Sequence, residues 1–222
     1  MPAYWNRKDR RRSRHSASNR VSLRTNPSRK REREKKGSSH ASIASPAVQP
    51  VGRAESALRR YHELSLASDM RFASREKAIL SQWEVGAGLV PGGGPMARLP
   101  RLIGRGRALE VLLGADDIRG DVAELYGYVN RSLPDADLDA FVDALARRIA
   151  SFDKQAISET KRLVNLASLP ADAEIAPEWD AFIASVGRPS AQARIKKLFE
   201  RGFHKPGDAE NRLGYYVGEL GK

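Results

Sequence analysis

Apolar positions organise the chain only from about Glu63 onward. Leu64, Leu66, Ala67, Met70, Phe72 and Ala73 form a mostly apolar run broken by Asp69, which suits a helix end followed by a short buried strand. Ala78-Ile79-Leu80 is a second short apolar piece. Gly86 to Pro95 holds five Gly and two Pro in ten residues and reads as a loop whose backbone comes close to something. Met96 to Leu113 reads as helix in two pieces broken near Gly104. Asp121 to Tyr126 reads as a short helix, with Asp121 able to cap it and Gly127 to close it. Tyr128-Val129-Asn130-Arg131 reads as a short strand.

The second half is helical. Leu138, Phe141, Val142, Leu145, Ala146 and Ile149 recur at the spacing of one buried helix face, capped by Asp135 or Asp137. Further helices are expected over about Lys154–Ala167, from near Pro177 through Trp179, Phe182, Ile183 and Val186, and from Ser190 to about Arg201. Two or three short strands that are apolar on both faces need neighbours on both sides. The chain upstream of Tyr61 offers none by pattern, so part of a sheet is expected to be missing.

Charge sharpens the division. The net charge is +12, yet residues 1–60 hold 17 Lys/Arg against 4 Asp/Glu (+13), leaving 22 basic and 23 acidic residues (−1) for 61–222. Blocks such as Arg10-Arg11-Arg12-Ser13-Arg14 and Arg29 to Lys36 lie among Ser, Asn and Pro, with too few apolar residues to offset chain entropy. Residues 1–60 therefore read as a disordered basic tail, with Gly37–Pro50 of linker composition. A nuclear-import or nucleic-acid-contacting arm is the second reading of the tail, the signature of nucleic-acid contact through residues 7–36 being binding that weakens steeply with salt and vanishes on deletion. A mitochondrial presequence is the third, although an amphipathic face is lacking. With no cysteine in the chain, disulfides, zinc–thiolate sites and a thiol nucleophile are excluded. No apolar run approaches the roughly 18 residues of a membrane span, so no membrane partner is expected.

An ordered series of words in the body resembles the C-terminal half of the crotonase (enoyl-CoA hydratase/isomerase) superfamily. They are Glu63-Leu64-Ser65-Leu66-Ala67-Ser68-Asp69-Met70-Arg71-Phe72-Ala73-Ser74, Gln82-Trp83-Glu84-Val85-Gly86-Ala87-Gly88-Leu89-Val90-Pro91-Gly92-Gly93-Gly94, Arg98-Leu99-Pro100-Arg101-Leu102-Ile103-Gly104-Arg105, Gly127-Tyr128-Val129-Asn130, Leu145-Ala146-Arg147-Arg148-Ile149-Ala150 and Thr160-Lys161. The resemblance implies an α/β fold, here an incomplete crotonase-like ββα stack over 61–137 followed by a C-terminal helical region over 138–222. It implies an acyl-CoA thioester as substrate, coenzyme A being part of that substrate with no separate cofactor and no metal. It also implies a homo-oligomer, a trimer or hexamer, once the fold is completed. Two backbone N–H groups would hold the thioester oxygen, and Glu63 and Glu84 match the family's two proton-handling glutamates. Pro91, Gly92, Gly93 and Gly94 would form the acyl-pocket loop. Taken without the resemblance, Glu63 is a helix-terminal surface carboxylate and Glu84 a loop ion-pair partner. The compartment stays open, with cytoplasm or mitochondrion ahead of nucleus.

The match also departs from the family. Glu63 is preceded by Leu58-Arg59-Arg60-Tyr61-His62, where the family has a glycine-rich word that supplies one oxyanion donor. No glycine lies between Gly52 and Gly86, and Trp83 stands where the family commonly has Pro. The family's first half has no counterpart in residues 1–60. Weak or absent activity is therefore expected, with a pseudoenzyme or assembly module as the alternative. The switch occurs within a few residues of Glu63, which suggests a different reading frame or mispredicted exon upstream; sequencing the 5′ end of the transcript tests this.

Overall fold

The structure is a computed structural model that describes the backbone of Val48–Val51 and His62 and the whole of residues 63–222. The basic segment, the remainder of the expected linker and residues 52–61 lie outside the described residues.

A short helix α1 (His62–Leu66) turns directly into strand β2 (Met70–Ser74), as the apolar run predicts. The neighbour expected to be missing on one side of β2 is present. Strand β1 (Val48–Val51), inside and just beyond the stretch read as linker, pairs with β2 in parallel, Val48 opposite Met70 and Val51 opposite Ala73. Its composition hid it: Pro50 cannot donate to a ladder and demotes a run to an edge, which is where β1 lies. The other flank of β2 is strand β5 (Arg131–Leu133), also parallel. That strand begins three residues later than Tyr128-Val129-Asn130-Arg131 suggests. Asn130 is held by Arg71 instead, its N–H reaching the Arg71 carbonyl at 2.8 Å and its side-chain oxygen accepting the Arg71 N–H at 2.8 Å.

Between these strands run β3 (Ile79–Leu80), helices α2 (Pro95–Ile103) and α3 (Arg105–Gly114), strand β4 (Ile118–Arg119) and helix α4 (Gly120–Tyr126), with β3 and β4 antiparallel. Their apolar faces close on one cluster that includes Leu66, Leu80, Leu99, Ile103, Val111, Tyr128 and Val129. The break at Gly104 and the close at Gly127 fall where the sequence places them. Asp121 is not the cap of α4: Arg119 holds that position, and the Asp121 carboxylate accepts the adjacent Val122 N–H.

Helix α5 (Asp135–Ala150) seats Leu138 and Val142 against Phe72, with the Phe141 ring edge-on to Phe72 at 5.3 Å. Its cap is Pro134 rather than either aspartate, because the Asp135 carboxylate is drawn outward to Lys77. Helix α6 (Lys154–Ser168) starts at Asp153, whose side chain accepts the Ala156 N–H at 2.8 Å. No residue of α6 is fully buried, and Leu163, Val164 and Leu166 are exposed. Helix α7 (Asp172–Val186) begins five residues before Pro177; the Glu174 carboxylate accepts the Ala171 N–H at 2.7 Å and starts the helix there, and Pro177 lies inside it. Helix α8 (Pro189–Glu200) follows, then α9 (Asp208–Asn211) and α10 (Leu213–Gly218), two short helices that the sequence pattern did not reveal. Leu198, Phe203, Leu213 and Val217 from this end pack against Ala87 and Ala115 of the earlier half. That contact carries the helical region onto the loop after Glu84. No helix among the described residues is long and apolar enough to cross a membrane.

Candidate functional site

Glu63 opens the first turn of α1, and its carbonyl accepts the Ala67 N–H at 2.9 Å. Glu84 follows the buried Ser81 and Gln82 after β3. The Glu84 carbonyl accepts from Ala87 and Leu89 at 3.0 and 2.9 Å, winding the chain into a single 3₁₀ turn that stops at Gly88 in a left-handed conformation. The fold brings these two glutamates, 21 positions apart, to one cavity of about 360 Å³.

The plain alternative for Glu84, a loop ion-pair partner, does not describe what the structure shows. Glu84 is buried, and its Oε2 has no hydrogen-bond partner. Burial pushes its carboxyl up to about 7, a backbone hydrogen bond opposes the shift, and the charge of Glu63 adds to it. Glu63 is half-buried and is also raised, again chiefly by burial. Near neutral pH, one cavity thus offers a carboxyl poised between its two protonation states beside a second carboxyl, an arrangement suited to taking up and delivering protons.

The loop expected at the acyl pocket runs past both. Gly92 and Gly93 line the cavity, Pro91 is buried next to them, and Gly94 caps α2. Gly93 has φ +89, and a Cβ there would lie 2.6 Å from the Glu63 Cγ. A Cβ on Gly92 would lie 3.0 Å from the Phe182 Cβ and Cγ. The two glycines therefore let the backbone fit between α1 and α7, and any side chain at 93 would displace the Glu63 stem.

Several site-shaping residues were not legible in the sequence. Glu178 on α7 caps α2 from a distance, accepting the Ala97 N–H at 2.6 Å and the Met96 N–H at 3.3 Å. Burial raises its carboxyl, opposed by those backbone donors and by Arg98. This ties the loop before α2 to the helix that carries Trp179 and Phe182, both of which line the cavity. Phe203, His204, Glu210 and Leu213 complete the far wall. Behind Glu84, the fully buried Tyr128 accepts a long 3.4 Å bond from Gln82 Nε2, and burial raises its phenol. Only tertiary packing gathers these residues.

A larger cavity, about 790 Å³, opens between the α1–β2 turn and α6. Its walls are mainly apolar, and its one carboxylate, Asp69, is paired with Lys161 at 2.7 Å. It holds no pair of free acids, so the chemistry points to the smaller cavity. No cluster of three or more His, Asp or Glu among the described residues is arranged to hold a metal.

Comparison with known proteins agrees with this architecture. A family model described as enoyl-CoA hydratase/isomerase matches residues 61–185. The chain is 37% identical over 121 residues to a crotonyl-CoA hydratase of Syntrophomonas wolfei, covering 54% of this chain and 46% of that protein. It is 38% identical over 106 residues to a short-chain-enoyl-CoA hydratase of Clostridioides difficile, covering 48% of this chain and 68% of that protein. The chain thus spans about half the length of the first relative and about two thirds of the second. A crystal structure of a provisionally assigned enoyl-CoA hydratase from Streptomyces avermitilis superposes with a TM-score of 0.73 at 43% identity, covering 78% of this chain and 61% of that one. The fold is accordingly an incomplete crotonase-like α/β stack followed by a helical region, and with the family model matching more than half of its residues, the chain belongs to the enoyl-CoA hydratase/isomerase family.

Proposed function

We propose that the Glu63–Glu84 cavity is the acid–base part of an acyl-CoA thioester site, acting in hydration or isomerisation of an enoyl group, and that this chain alone turns over slowly. The observation that carries the reading is the buried Glu84 carboxyl at about 7, its Oε2 without a hydrogen-bond partner, beside Glu63. In hydration, one carboxylate takes a proton from water as the oxygen adds to C3. The other group delivers a proton to C2, so the double bond is consumed and water is added with no proton left over. The thioester oxygen needs two fixed N–H donors while the enolate exists, and each lost donor costs about 10²–10³ in rate. Leu58 to His62 contain no glycine for the turn that would aim one of them, which is the ground for slow turnover.

Crotonyl-CoA hydration by the purified chain tests both parts. The expected result is a rate at least about a hundredfold below that of a full-length hydratase, lost in Glu84→Gln and in Glu63→Gln. A residual rate unchanged in both variants would remove the glutamates from the reading. Full-rate hydration abolished by Glu84→Gln would overturn the expectation of slow turnover.

Assembly is the second reading, favoured by the exposed apolar Leu163, Val164 and Leu166 on a helix with nothing fully buried. A soluble chain rarely leaves such a face uncovered. Light scattering on the purified chain is expected to give a trimer or hexamer, and a well-folded monomer at micromolar concentration would sink this reading.

A further inference from the structure

We infer that the acyl end of this cavity is built for an aryl group, so that the ligand class is an acyl-CoA thioester carrying an aromatic ring a few carbons from the thioester. The inference rests on the acyl-CoA reading of the same cavity. The chain has three Trp and six Phe, and two of each line this one space. They arrive from three separate segments: Trp83 beside Glu84, Trp179 and Phe182 on α7, and Phe203 after α8. Aliphatic side chains contribute only Leu89 and Leu213.

The rings are held in place. Trp83 and Phe203 meet edge-to-face with centroids 4.8 Å apart, and Trp179 and Phe182 lie 5.5 Å apart at 33°. Phe203 is fixed by its neighbours, since the His204 ring lies 4.1 Å away and the His204 N–H donates to the buried Glu210 carboxylate at 2.6 Å. That bond pins His204 at φ +63, a conformation uncommon outside glycine. Phe182 is pressed onto the glycine loop at Gly92. Trp179 remains 56% exposed, a large apolar ring with a free face at the cavity. Preset ring pairs reward a third ring through edge and face geometry, beyond what its area alone returns. Size is adequate: an apolar cavity of about 150 Å³ accepts a benzene, and about 360 Å³ leaves room for a short arm that brings the thioester to the carboxylates.

Calorimetric titration of the full 222-residue chain with 3-phenylpropanoyl-CoA and nonanoyl-CoA, paired with tryptophan emission, tests the inference. The two acyl groups have equal carbon number, and neither can be hydrated. Nonanoyl buries more apolar area, so transfer from water alone favours it. The expected result is phenylpropanoyl binding about tenfold tighter than nonanoyl, with the ratio falling toward one in Trp179→Leu and in Trp83→Leu. Nonanoyl binding as tightly or more tightly in the unmutated chain would overturn the inference, whatever the variants do. A phenylpropanoyl preference that survives in both folded variants would overturn its assignment to these rings. If neither thioester binds better than free coenzyme A, the acyl-CoA reading itself falls, a result distinguishable from the others by the loss of both ligands.

Discussion

Replacing Glu84 with Gln is expected to stabilise the protein at pH 8 by about 3 kcal/mol and to leave its stability nearly unchanged at pH 4. The folded-state pKa of Glu84 is raised from 4.5 to about 7, chiefly by burial. The native state therefore holds this proton more tightly than the unfolded chain does. Stability from the protonated form is fully present below about 4.5, declines as pH rises from there, and is gone above about 7. Above that range the native protein carries a buried charge with an oxygen that nothing bonds. Glutamine keeps the shape and has no charge to bury, so the difference opens only as pH rises. For a body of this size the gain corresponds to roughly 6–12 °C in Tm. Melting curves of both proteins from pH 4 to pH 9 decide the matter: a constant offset across that range would mean that Glu84 ionises as an ordinary exposed carboxylate. A gain in stability on removing a charged side chain is the mark of a group kept for chemistry rather than for folding.

Arg71→Met is expected to cost roughly 3–5 kcal/mol, or about 6–20 °C in Tm. Arg71 is only 6% exposed, yet it sits mid-strand in β2. Its Nε donates to the Tyr128 carbonyl at 2.9 Å, and its Nη1 donates to the Ser68 carbonyl at 2.8 Å and, less closely, to that of Ser65 at 3.5 Å. One side chain thus satisfies the Ser68 carbonyl just beyond α1 and pins the turn that leads to β5. Methionine fills a similar volume but donates nothing, leaving two well-bonded buried carbonyls unpaired at about 1–3 kcal/mol each. Lysine would not restore them, because it lacks the planar fork. Chemical denaturation of Arg71→Met measures the loss, and a change under about 1 kcal/mol would show that water takes over those carbonyls. Because Glu63 lies in the first turn of α1, the same variant should also loosen the carboxylate pair.

Local signals in the sequence were reliable where the cause is local. Gly127 ends α4 because a left-handed residue is needed there, and Asp153 caps α6 because its side chain reaches its own helix. Asp121 is misread because its carboxylate turns to the adjacent Val122 N–H, while Asp135, Tyr128 to Asn130 and Val48–Val51 are decided by a distant partner. Asp135 looks like a cap until Lys77 takes its carboxylate. Tyr128 to Asn130 look like a strand until the Arg71 backbone takes both the N–H and the side-chain oxygen of Asn130. Val48–Val51 looks like linker because four residues containing a proline carry no pattern, and only the open edge of β2 makes them a strand. The two glutamates were legible through the order of words around them. The aromatic wall was not, since Trp179 reaches the cavity through the seat of α7 against the glycine loop at Gly92, and Phe203 through the packing of α8 and α10 against the turn at Ala87.

The paired glycines between α1 and α7 act as a spacer of fixed thickness. With Gly92 against Phe182 and Gly93 against Glu63, the gap from aromatic wall to carboxylate is one bare backbone wide. A Cβ added at Gly92 or Gly93 would meet Phe182 or Glu63 directly, so neither position tolerates a side chain without one of these moving. On the proposed arylacyl-CoA reading, the separation between the Phe182 ring and the Glu63 carboxylate is the dimension that would select a ligand by the length of the arm between its ring and its reactive carbons.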